Sequence, residues 1–323
     1  MTIVNRRARR LASEAASGAL LDVLRARRKG VRVIETCTME DLDRAAEELA
    51  REVPDAIILA GGDGSYMAGV TALVRAFTAA GRGEDGLPAI ALAPGGTVST
   101  VARNWGFKGG GLFSGGGDAV RYAARLVDAV SNQRANVRKR PTLRVDDDDD
   151  TRIGFIVGAG LVSRFFEVYE DDGARGYGSA AKIVGRIFAG SFARGRLARR
   201  VLTPVPCTIV VDGVTADFDA ASLVCASVVK DLGIGLRLLY RAGDQHDRFH
   251  IVASALGPSR LGPQLPLVLA GRPLLGRGRI DALAKHVTLR FPERDGAYVL
   301  DGELVRAEHV AISAGPVLRV LSV

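Results

Sequence analysis

An apolar run that ends abruptly in glycine constrains the fold of this chain more than any other segment. Residues 56–65 read Ala-Ile-Ile-Leu-Ala-Gly-Gly-Asp-Gly-Ser. A continuous apolar run of this kind is typical of a strand buried on both faces of a parallel sheet. Glycine permits positive φ and a close approach of the backbone to a ligand, because it has no Cβ. The segment therefore predicts a buried strand followed by a loop that faces a ligand.

The residues after this loop predict a helix and, with it, an anion site. Helical spacing relates Tyr66, Gly69, Val70, Leu73, Val74 and Phe77. The N-terminus of a helix offers free N–H groups and the positive end of the helix dipole to phosphate. Asp63 would repel phosphate unless it acted through magnesium or accepted a proton, which suggests phosphoryl transfer. The alternative is a tight turn with an Asx hydrogen bond.

Strands and helices alternate through the first third of the chain. Strands are predicted at 2–4, 31–35, 56–60 and 88–93, and helices at 11–28, 39–52, 65–80 and 98–105. This order predicts a parallel sheet with right-handed crossovers, whose ligands bind beyond the carboxyl ends of the strands. Thr38 and Asp41 have the spacing of a capping box at one helix start.

A second strand end is also rich in glycine, at Pro94-Gly95-Gly96-Thr97. Two such ends in one sheet indicate a single nucleotide cleft, although a plain Pro-Gly turn is the alternative for the second. Beyond about residue 136, alternating strands and hairpin turns take over. Predicted strands at 142–145 and 152–157 flank Asp146–Asp150, and predicted strands at 207–211 and 215–218 flank Asp212-Gly213. The five consecutive aspartates are typical of a solvated turn. Residues 163–200 are predicted to be partly helical, and the rest β-rich.

Composition restricts the class of protein. The 323 residues suggest about two domains, and no segment approaches the roughly 20 apolar residues of a membrane span. The N-terminus lacks the apolar core of a secretory signal, so we expect a cytoplasmic protein. Three cysteines and four histidines show no metal-ligand spacing, so we expect reduced thiols and oxygen ligands for any metal.

Arginine clusters account for most of the net charge of +8. Such clusters suit an anionic membrane surface or nucleic acid, and solvated helix faces are the alternative. No aromatic residues are interleaved with the arginines, so nucleic acid is the weaker of the two partners.

A third element lies near the C-terminus, where Asp301-Gly302-Glu303 precedes predicted strands at 309–313 and 316–321. Asp-Gly alone is a common hairpin turn. The order GGDG, then PGGT, then DGE resembles the diacylglycerol kinase catalytic-domain family, which includes sphingosine and ceramide kinases and the bacterial YegS-like lipid kinases. The resemblance covers nearly the whole chain.

The resemblance implies a fold and an activity. The fold would be an α/β domain with a parallel sheet at 1–135, similar to phosphofructokinases and NAD kinases, and a β-rich β-sandwich domain at 136–311, with 312–323 packing back on the first. The activity would be ATP- and Mg²⁺-dependent phosphorylation of a hydroxyl of diacylglycerol, ceramide or a sphingoid lipid. Such a kinase would associate peripherally with the anionic inner face of the membrane and bind no nucleic acid. A homodimer is compatible with the resemblance.

The resemblance also assigns site residues. Nucleotide contacts fall on Asn5, Thr36, Gly61, Gly62, Gly64, Ser65, Gly95, Gly96 and Thr97. Catalytic carboxylates fall on Asp63, Asp301 and Glu303, and magnesium ligands on Asp63 and Asp247.

The chain departs from the family pattern at several positions. Ala68 stands where the family often has an acidic residue, Ser99-Thr100 where it has Asn-Asp, and Arg6 where it has proline after Asn5. The alternatives are a phosphofructokinase-like or NAD-kinase-like small-molecule kinase, or a non-catalytic lipid or nucleotide sensor. The TIDxD segment of phosphofructokinases is missing, and NAD kinases lack the DGE ending. The sequence does not identify the acceptor lipid.

Overall fold

The structure is a computed structural model that describes two compact units of the chain. The described residues are 1–5, 22, 32–95, 99–107, 116–171, 173, 176–193, 195–233, 235–292 and 296–323. The first unit comprises residues 1–140 and 316–323, and the second residues 141–315. The helix predicted at 11–28 lies outside the described residues, apart from residue 22. No described helix is long and apolar enough to cross a membrane.

The first unit is built on one six-stranded sheet. Its strands are β1 (Thr2–Asn5), β2 (Val33–Thr36), β3 (Ala56–Gly61), β4 (Ala89–Pro94), β5 (Asn136–Arg140) and the last strand of the chain, β20 (Leu318–Ser322). The order across the sheet is β2-β1-β3-β4-β20-β5, and every neighbouring pair is parallel except β20 with β5. Strand β3 is buried along its whole length, as the apolar run predicts.

Four described helices accompany this sheet. They are α1 (Met39–Glu52), α2 (Asp63–Ala79), α3 (Thr100–Asn104) and α4 (Gly116–Ser131), with a 3-10 turn at Glu84–Gly86. The predicted capping box at the start of α1 is confirmed. The Thr38 hydroxyl accepts a hydrogen bond from the Asp41 N–H, and the Asp41 carboxylate accepts one from the Thr38 N–H, both at 3.1 Å. Helix α1 packs against α2.

Strand β5 corrects one predicted boundary. Residues 136–140, assigned from the sequence to the second domain, pair antiparallel with β20 at the edge of the first sheet. The change of pattern near residue 136 marks the end of the helical crossovers, whereas the partner of β5 lies at the other end of the chain. Local pattern could not reveal that pairing.

The second unit contains two six-stranded antiparallel sheets. Its strands are β6 (Leu143–Asp147), β7 (Thr151–Gly154), β8 (Ile156–Gly160), β9 (Val205–Pro206), β10 (Thr208–Val211), β11 (Val214–Thr215), β12 (Ala220–Ala221), β13 (Leu223–Ser227), β14 (Phe249–Ser254), β15 (Arg279–Ala284), β16 (His286–Arg290), β17 (Ala297–Leu300), β18 (Glu303–Arg306) and β19 (His309–Ala314). The orders are β11-β10-β16-β19-β6-β7 and β15-β14-β13-β8-β17-β18, and β9 pairs with β12. The predicted fold class, an α/β domain followed by a β-rich domain, is confirmed.

Helices cover one face of the second sheet. They are α5 (Leu161–Asp171), α6 (Gly176–Phe192), α7 (Arg196–Leu202), α8 (Pro258–Leu261) and α9 (Leu265–Leu269), with a 3-10 turn at Gly262–Gln264. A buried apolar cluster joins these helices to β13 and β14, through residues such as Ile187, Val201, Leu223 and Val252. The expectation that the region after residue 200 is β-rich throughout missed α8 and α9, whose glycines and prolines resemble a loop.

Residues 152–157, predicted as one strand, belong to two strands in different sheets. β7 ends at Gly154 and β8 begins at Ile156, so the chain changes sheets at the fully buried Phe155. Where a chain passes from one sheet to another, its backbone N–H groups lose their acceptors in the first sheet. Where such groups are buried, another acceptor must form hydrogen bonds with them.

Candidate active site

The carboxyl edge of the parallel sheet brings together most of the described residues that the sequence assigned to the nucleotide. Pairing of β1 with β2 sets Asn5 beside Thr36, and pairing of β3 with β4 sets Gly61 beside Pro94. Strand β1 lies between β2 and β3, so the four strand ends form one continuous edge. This is the edge at which parallel α/β sheets bind ligands.

Side-chain hydrogen bonds fix the loop between β3 and α2. The Asn5 side-chain amide donates to the Ser65 hydroxyl at 2.9 Å, and the Gly62 N–H donates to the same hydroxyl at 3.3 Å. A Cβ on Gly61 would lie 2.7 Å from this hydroxyl oxygen. Glycine at position 61 therefore makes room for Ser65, which in turn orients Asn5.

The glycines of this loop do not use the positive φ that glycine permits. Gly62 has φ −98° and ψ −176°, which is extended backbone, and neither Gly61 nor Gly64 has positive φ. The loop is short, and β3 passes into α2 through one extended residue, Gly62. At Gly61 the structural requirement is the absence of a side chain.

Three backbone N–H groups at the start of α2 are available to a ligand. Those of Asp63, Gly64 and Ser65 have no acceptor among the described residues, and the first intrahelical bond runs from the Tyr66 N–H to the Gly62 carbonyl. Free N–H groups and the helix dipole favour an anion at this end. The geometry therefore fits the phosphate site that the sequence predicts.

The Asp63 carboxylate accepts two hydrogen bonds from a distant part of the chain. Its oxygens accept from the N–H groups of Thr100 at 2.8 Å and Val101 at 3.0 Å, at the start of α3. Desolvation raises the pKa of Asp63, and these two hydrogen bonds oppose that shift. The carboxylate thus caps α3 instead of forming an Asx turn of its own.

The second glycine-rich strand end is tied to the first. The Gly95 N–H donates to the Gly61 carbonyl at 2.6 Å. The buried Tyr66 hydroxyl donates to the Ala93 carbonyl at 2.9 Å. The helical period that includes Tyr66 gives no sign of this contact between α2 and β4. Gly96 and Thr97, which were also predicted to bind nucleotide, lie outside the described residues.

Asp301 and Gly302 form the turn of the β17–β18 hairpin in the second unit. Both have positive φ, 50° and 95°, as a two-residue hairpin requires. The Asp301 carboxylate accepts hydrogen bonds from the N–H groups of Phe155 and Ile156, both at 3.0 Å. These are the N–H groups at the point where the chain changes sheets, so Asp301 satisfies them.

A second Asp-Gly hairpin in the same unit has the same chemistry. Asp212 and Gly213 connect β10 to β11 with φ of 47° and 85°, and the Asp212 carboxylate accepts from the N–H groups of Lys285 and His286. A carboxylate that accepts two backbone hydrogen bonds is therefore not by itself a sign of catalysis here. Asp301 differs from Asp212 mainly in its burial, since Asp301 is only 6% exposed and Asp212 is exposed.

Glu303 differs from both aspartates. It begins β18, is exposed, and makes no hydrogen bond or ion pair with a described residue. Among the predicted carboxylates it has the greatest freedom to contact a substrate. The predicted metal ligand Asp247 is also exposed, and it pairs with Lys285 at 3.3 Å, which lowers its pKa. Among the described residues, no three His, Cys, Asp or Glu side chains are grouped as a metal site.

Comparison with known proteins identifies the first unit. Residues 1–138 match the family model for the diacylglycerol kinase catalytic domain. No curated protein is significantly similar in sequence to the chain. This match bears out, over residues 1–138, the resemblance of the first two motifs to the diacylglycerol kinase catalytic-domain family, and the third motif lies outside it.

Solved structures from Bacillus anthracis str. Sterne share the fold over the whole chain. One, described as a diacylglycerol kinase, has a TM-score of 0.61 at 16% identity, with 100% of this chain and 96% of that chain covered. Two others, provisionally named as diacylglycerol kinases, have TM-scores of 0.68 and 0.66 at 18% and 17% identity, with 100% of this chain and 94% and 96% of theirs covered.

Replacing Gly61 with alanine should disrupt the phosphate loop. The new Cβ would overlap Ser65 and displace the hydroxyl that holds Asn5, so we expect a loss of about 1–3 kcal/mol in unfolding free energy and about tenfold weaker ATP binding. Thermal unfolding and calorimetric titration with an ATP analogue measure both effects.

Gly185→Ala provides the matched control, because nothing lies within 4 Å of a Cβ at this position in α6. It should bind the analogue normally and be as stable as the wild type or slightly more stable. Wild-type nucleotide affinity in a folded Gly61→Ala variant would contradict the assignment of this loop to phosphate.

Proposed function

We propose that the chain is an ATP-dependent lipid kinase that phosphorylates a hydroxyl of a membrane lipid of the diacylglycerol, ceramide or sphingoid type. The observation that carries the proposal is the match of residues 1–138 to the diacylglycerol kinase catalytic domain. The described residues that this family resemblance assigns to nucleotide lie at the carboxyl edge of the parallel sheet, where three N–H groups have no acceptor among the described residues.

The nucleotide would bind with its phosphates at the start of α2. The N–H groups of Asp63, Gly64 and Ser65 would donate to phosphate oxygens, and the Asn5–Ser65 hydrogen bond would keep the loop in shape. Fixed donors of this kind stabilise the charge of phosphoryl transfer without reorganising during the reaction.

We assign the three predicted carboxylates different roles. Asp63 would position the loop before α3, since both its oxygens accept backbone hydrogen bonds. Asp301 would likewise shape the hairpin that presents Glu303. Glu303, which has no partner among the described residues, would accept the proton from the attacking lipid hydroxyl.

Magnesium would enter as the complex with ATP and neutralise phosphate charge. The described residues offer no cluster of three or more ligand side chains for a resident ion, so we assign no step to a protein-bound metal. Asp247 as a magnesium ligand stays a prediction. The protein is proposed to act at an anionic membrane on the cytoplasmic side.

A non-catalytic sensor of nucleotide or lipid is the second candidate. It is favoured by the structural engagement of Asp63 and Asp301, since a protein that had lost turnover would still need both aspartates to fold. The behaviour of Glu303 separates the two functions, because its side chain has no described structural partner.

Replacing Glu303 with glutamine should lower turnover by about tenfold or more and leave the melting temperature unchanged. The side chain is exposed and has no partner among the described residues, so its charge should contribute little to folding, whereas the proposed proton transfer requires it. Steady-state transfer of labelled phosphate and thermal unfolding provide the two readouts.

Glu308→Gln is the matched control, as Glu308 is an exposed glutamate of the same unit whose side chain has no described partner. It should retain the wild-type rate and stability. Equal rates for both variants and the wild type would remove Glu303 from the mechanism.

A panel of acceptors tests the proposed activity itself. Purified protein with magnesium and γ-labelled ATP should label diacylglycerol, ceramide or sphingosine presented in mixed micelles. It should not label fructose 6-phosphate or NAD. Label in a water-soluble acceptor alone would indicate a small-molecule kinase, and nucleotide binding without any transfer would indicate the sensor.

A further inference from the structure

Two segments of the second unit carry an unusual distribution of charge. Residues 173–211 and 248–280 contain twelve lysines and arginines and no aspartate or glutamate. The rest of the chain contains 32 basic and 36 acidic residues. The net positive charge of the protein therefore comes entirely from these two segments.

The two segments pack against each other on the helical side of the second unit. Helix α6 contacts α8 and the 3-10 turn at Gly262–Gln264. A Cβ on Gly262 would overlap the side chain of Ser191, the penultimate residue of α6, and would approach Leu202 of α7 to 3.3 Å. The carboxyl end of α6 and the turn are thus in direct contact.

Hydrogen bonds attach a third stretch of chain to the same turn. The Gln264 side chain accepts from the Leu275 N–H at 2.6 Å and donates to the Leu275 carbonyl at 3.0 Å. Helix α9 follows the turn directly, and its Val268 packs on the buried cluster while the adjacent Leu269 is exposed. The neighbourhood of this turn includes the end of α6, α9 and the segment around Leu275.

Large apolar side chains are exposed in this neighbourhood. Phe192 is 63% exposed, Leu269 48% and Leu275 60%. The exposed Phe192 ring lies edge-on to that of Phe188, with centroids 5.1 Å apart. We call this surface the α6–α9 patch, defined by Phe192, Leu269 and Leu275 together with Arg260, Arg272 and Arg277, of which Arg260 accepts a hydrogen bond from Gln264 at its carbonyl.

Those arginines have no acidic partner among the residues that the structure describes. Arg260, Arg272 and Arg277 are exposed, and none forms an ion pair with a described residue. Arg196 and Arg199 of α7 are exposed and unpaired in the same way, whereas Arg200 pairs with Asp171 at 3.0 Å. Arginines left without acidic neighbours are available to an external anion.

We propose that the α6–α9 patch is the surface with which the protein docks on an anionic lipid bilayer. Phe192, Leu269 and Leu275 would enter the interface between headgroups and acyl chains, and Arg260, Arg272 and Arg277 would contact the lipid phosphates. Exposed apolar side chains framed by arginine suit a surface that is apolar inside and negatively charged outside. A protein partner with an acidic face is the alternative occupant, and binding to vesicles that contain lipid alone separates the two.

The inference deepens the proposed lipid kinase function, because it specifies the surface that meets the membrane. It does not depend on catalysis, since docking is measured without ATP. The protein could therefore dock as proposed and phosphorylate no lipid, or phosphorylate a dispersed lipid and not dock.

Vesicle sedimentation tests the patch. The full chain is mixed with vesicles of phosphatidylcholine alone, or with about a third of the lipid as phosphatidylglycerol, at low and at raised salt. Binding should need the anionic lipid and weaken with salt. The variant with Arg260, Arg272 and Arg277 changed to Gln should bind about a hundredfold more weakly, as each cation near an anionic surface contributes about fivefold.

A second variant, Phe192→Ser with Leu269→Ser and Leu275→Ser, should also lose binding, and its loss should persist at low salt.

Matched controls remove groups of the same kinds at other places on the surface. The charge control loses the same three positive charges as the patch variant, by replacing Arg51, Arg290 and Arg306 with Gln. The apolar control replaces three other exposed apolar side chains with Ser, at Met39, Val137 and Val214. Both controls should bind like the wild type. Thermal unfolding identifies any variant that fails to fold.

Two results would overturn the proposal. If the charge control loses as much binding as the patch variant, attraction is general and no docking surface exists at α6–α9. If the apolar variant binds like the wild type, the exposed side chains do not enter the bilayer. Loss of binding in both patch variants, with both controls intact, supports the docking surface whatever the kinase assay shows.

Discussion

Parallel pairing of β1, β2, β3 and β4 brings four strand ends to one edge of a sheet. Asn5, Thr36 and Gly61 lie at this edge because each ends a strand that runs in the same direction. Packing then determines the detail, since Gly61 leaves space for Ser65 and Ser65 holds Asn5. The anion site at the start of α2 depends on all of these contacts. Its N–H groups are those that no hydrogen bond among the described residues uses.

Local patterns in the sequence predicted much of this arrangement. Helix α1 was predicted with its observed bounds, because a capping box and an amphipathic period both lie within one short segment. Strand β3 and helix α2 were predicted within two residues for the same reason. Contacts across long stretches of chain were not accessible. The donors to Asp63 lie at Thr100 and Val101, and no short motif relates these positions.

Asp301 shows how a motif can mix structural and chemical requirements. Its backbone forms a hairpin turn and its carboxylate satisfies the N–H groups freed where the chain changes sheets. Asp212 does the same at another hairpin that no motif had linked to catalysis. Within Asp301-Gly302-Glu303, folding explains the first two residues, and Glu303 is the residue left for function.

Hydrogen exchange on addition of nucleotide tests the central claim, that phosphates bind where β3 meets α2. A non-hydrolysable ATP analogue with magnesium should slow exchange in peptides that cover residues 59–67, where three N–H groups lack acceptors. Adenosine, which has no phosphates, should leave those peptides unchanged. Slower exchange elsewhere with no change at residues 59–67 would contradict the account.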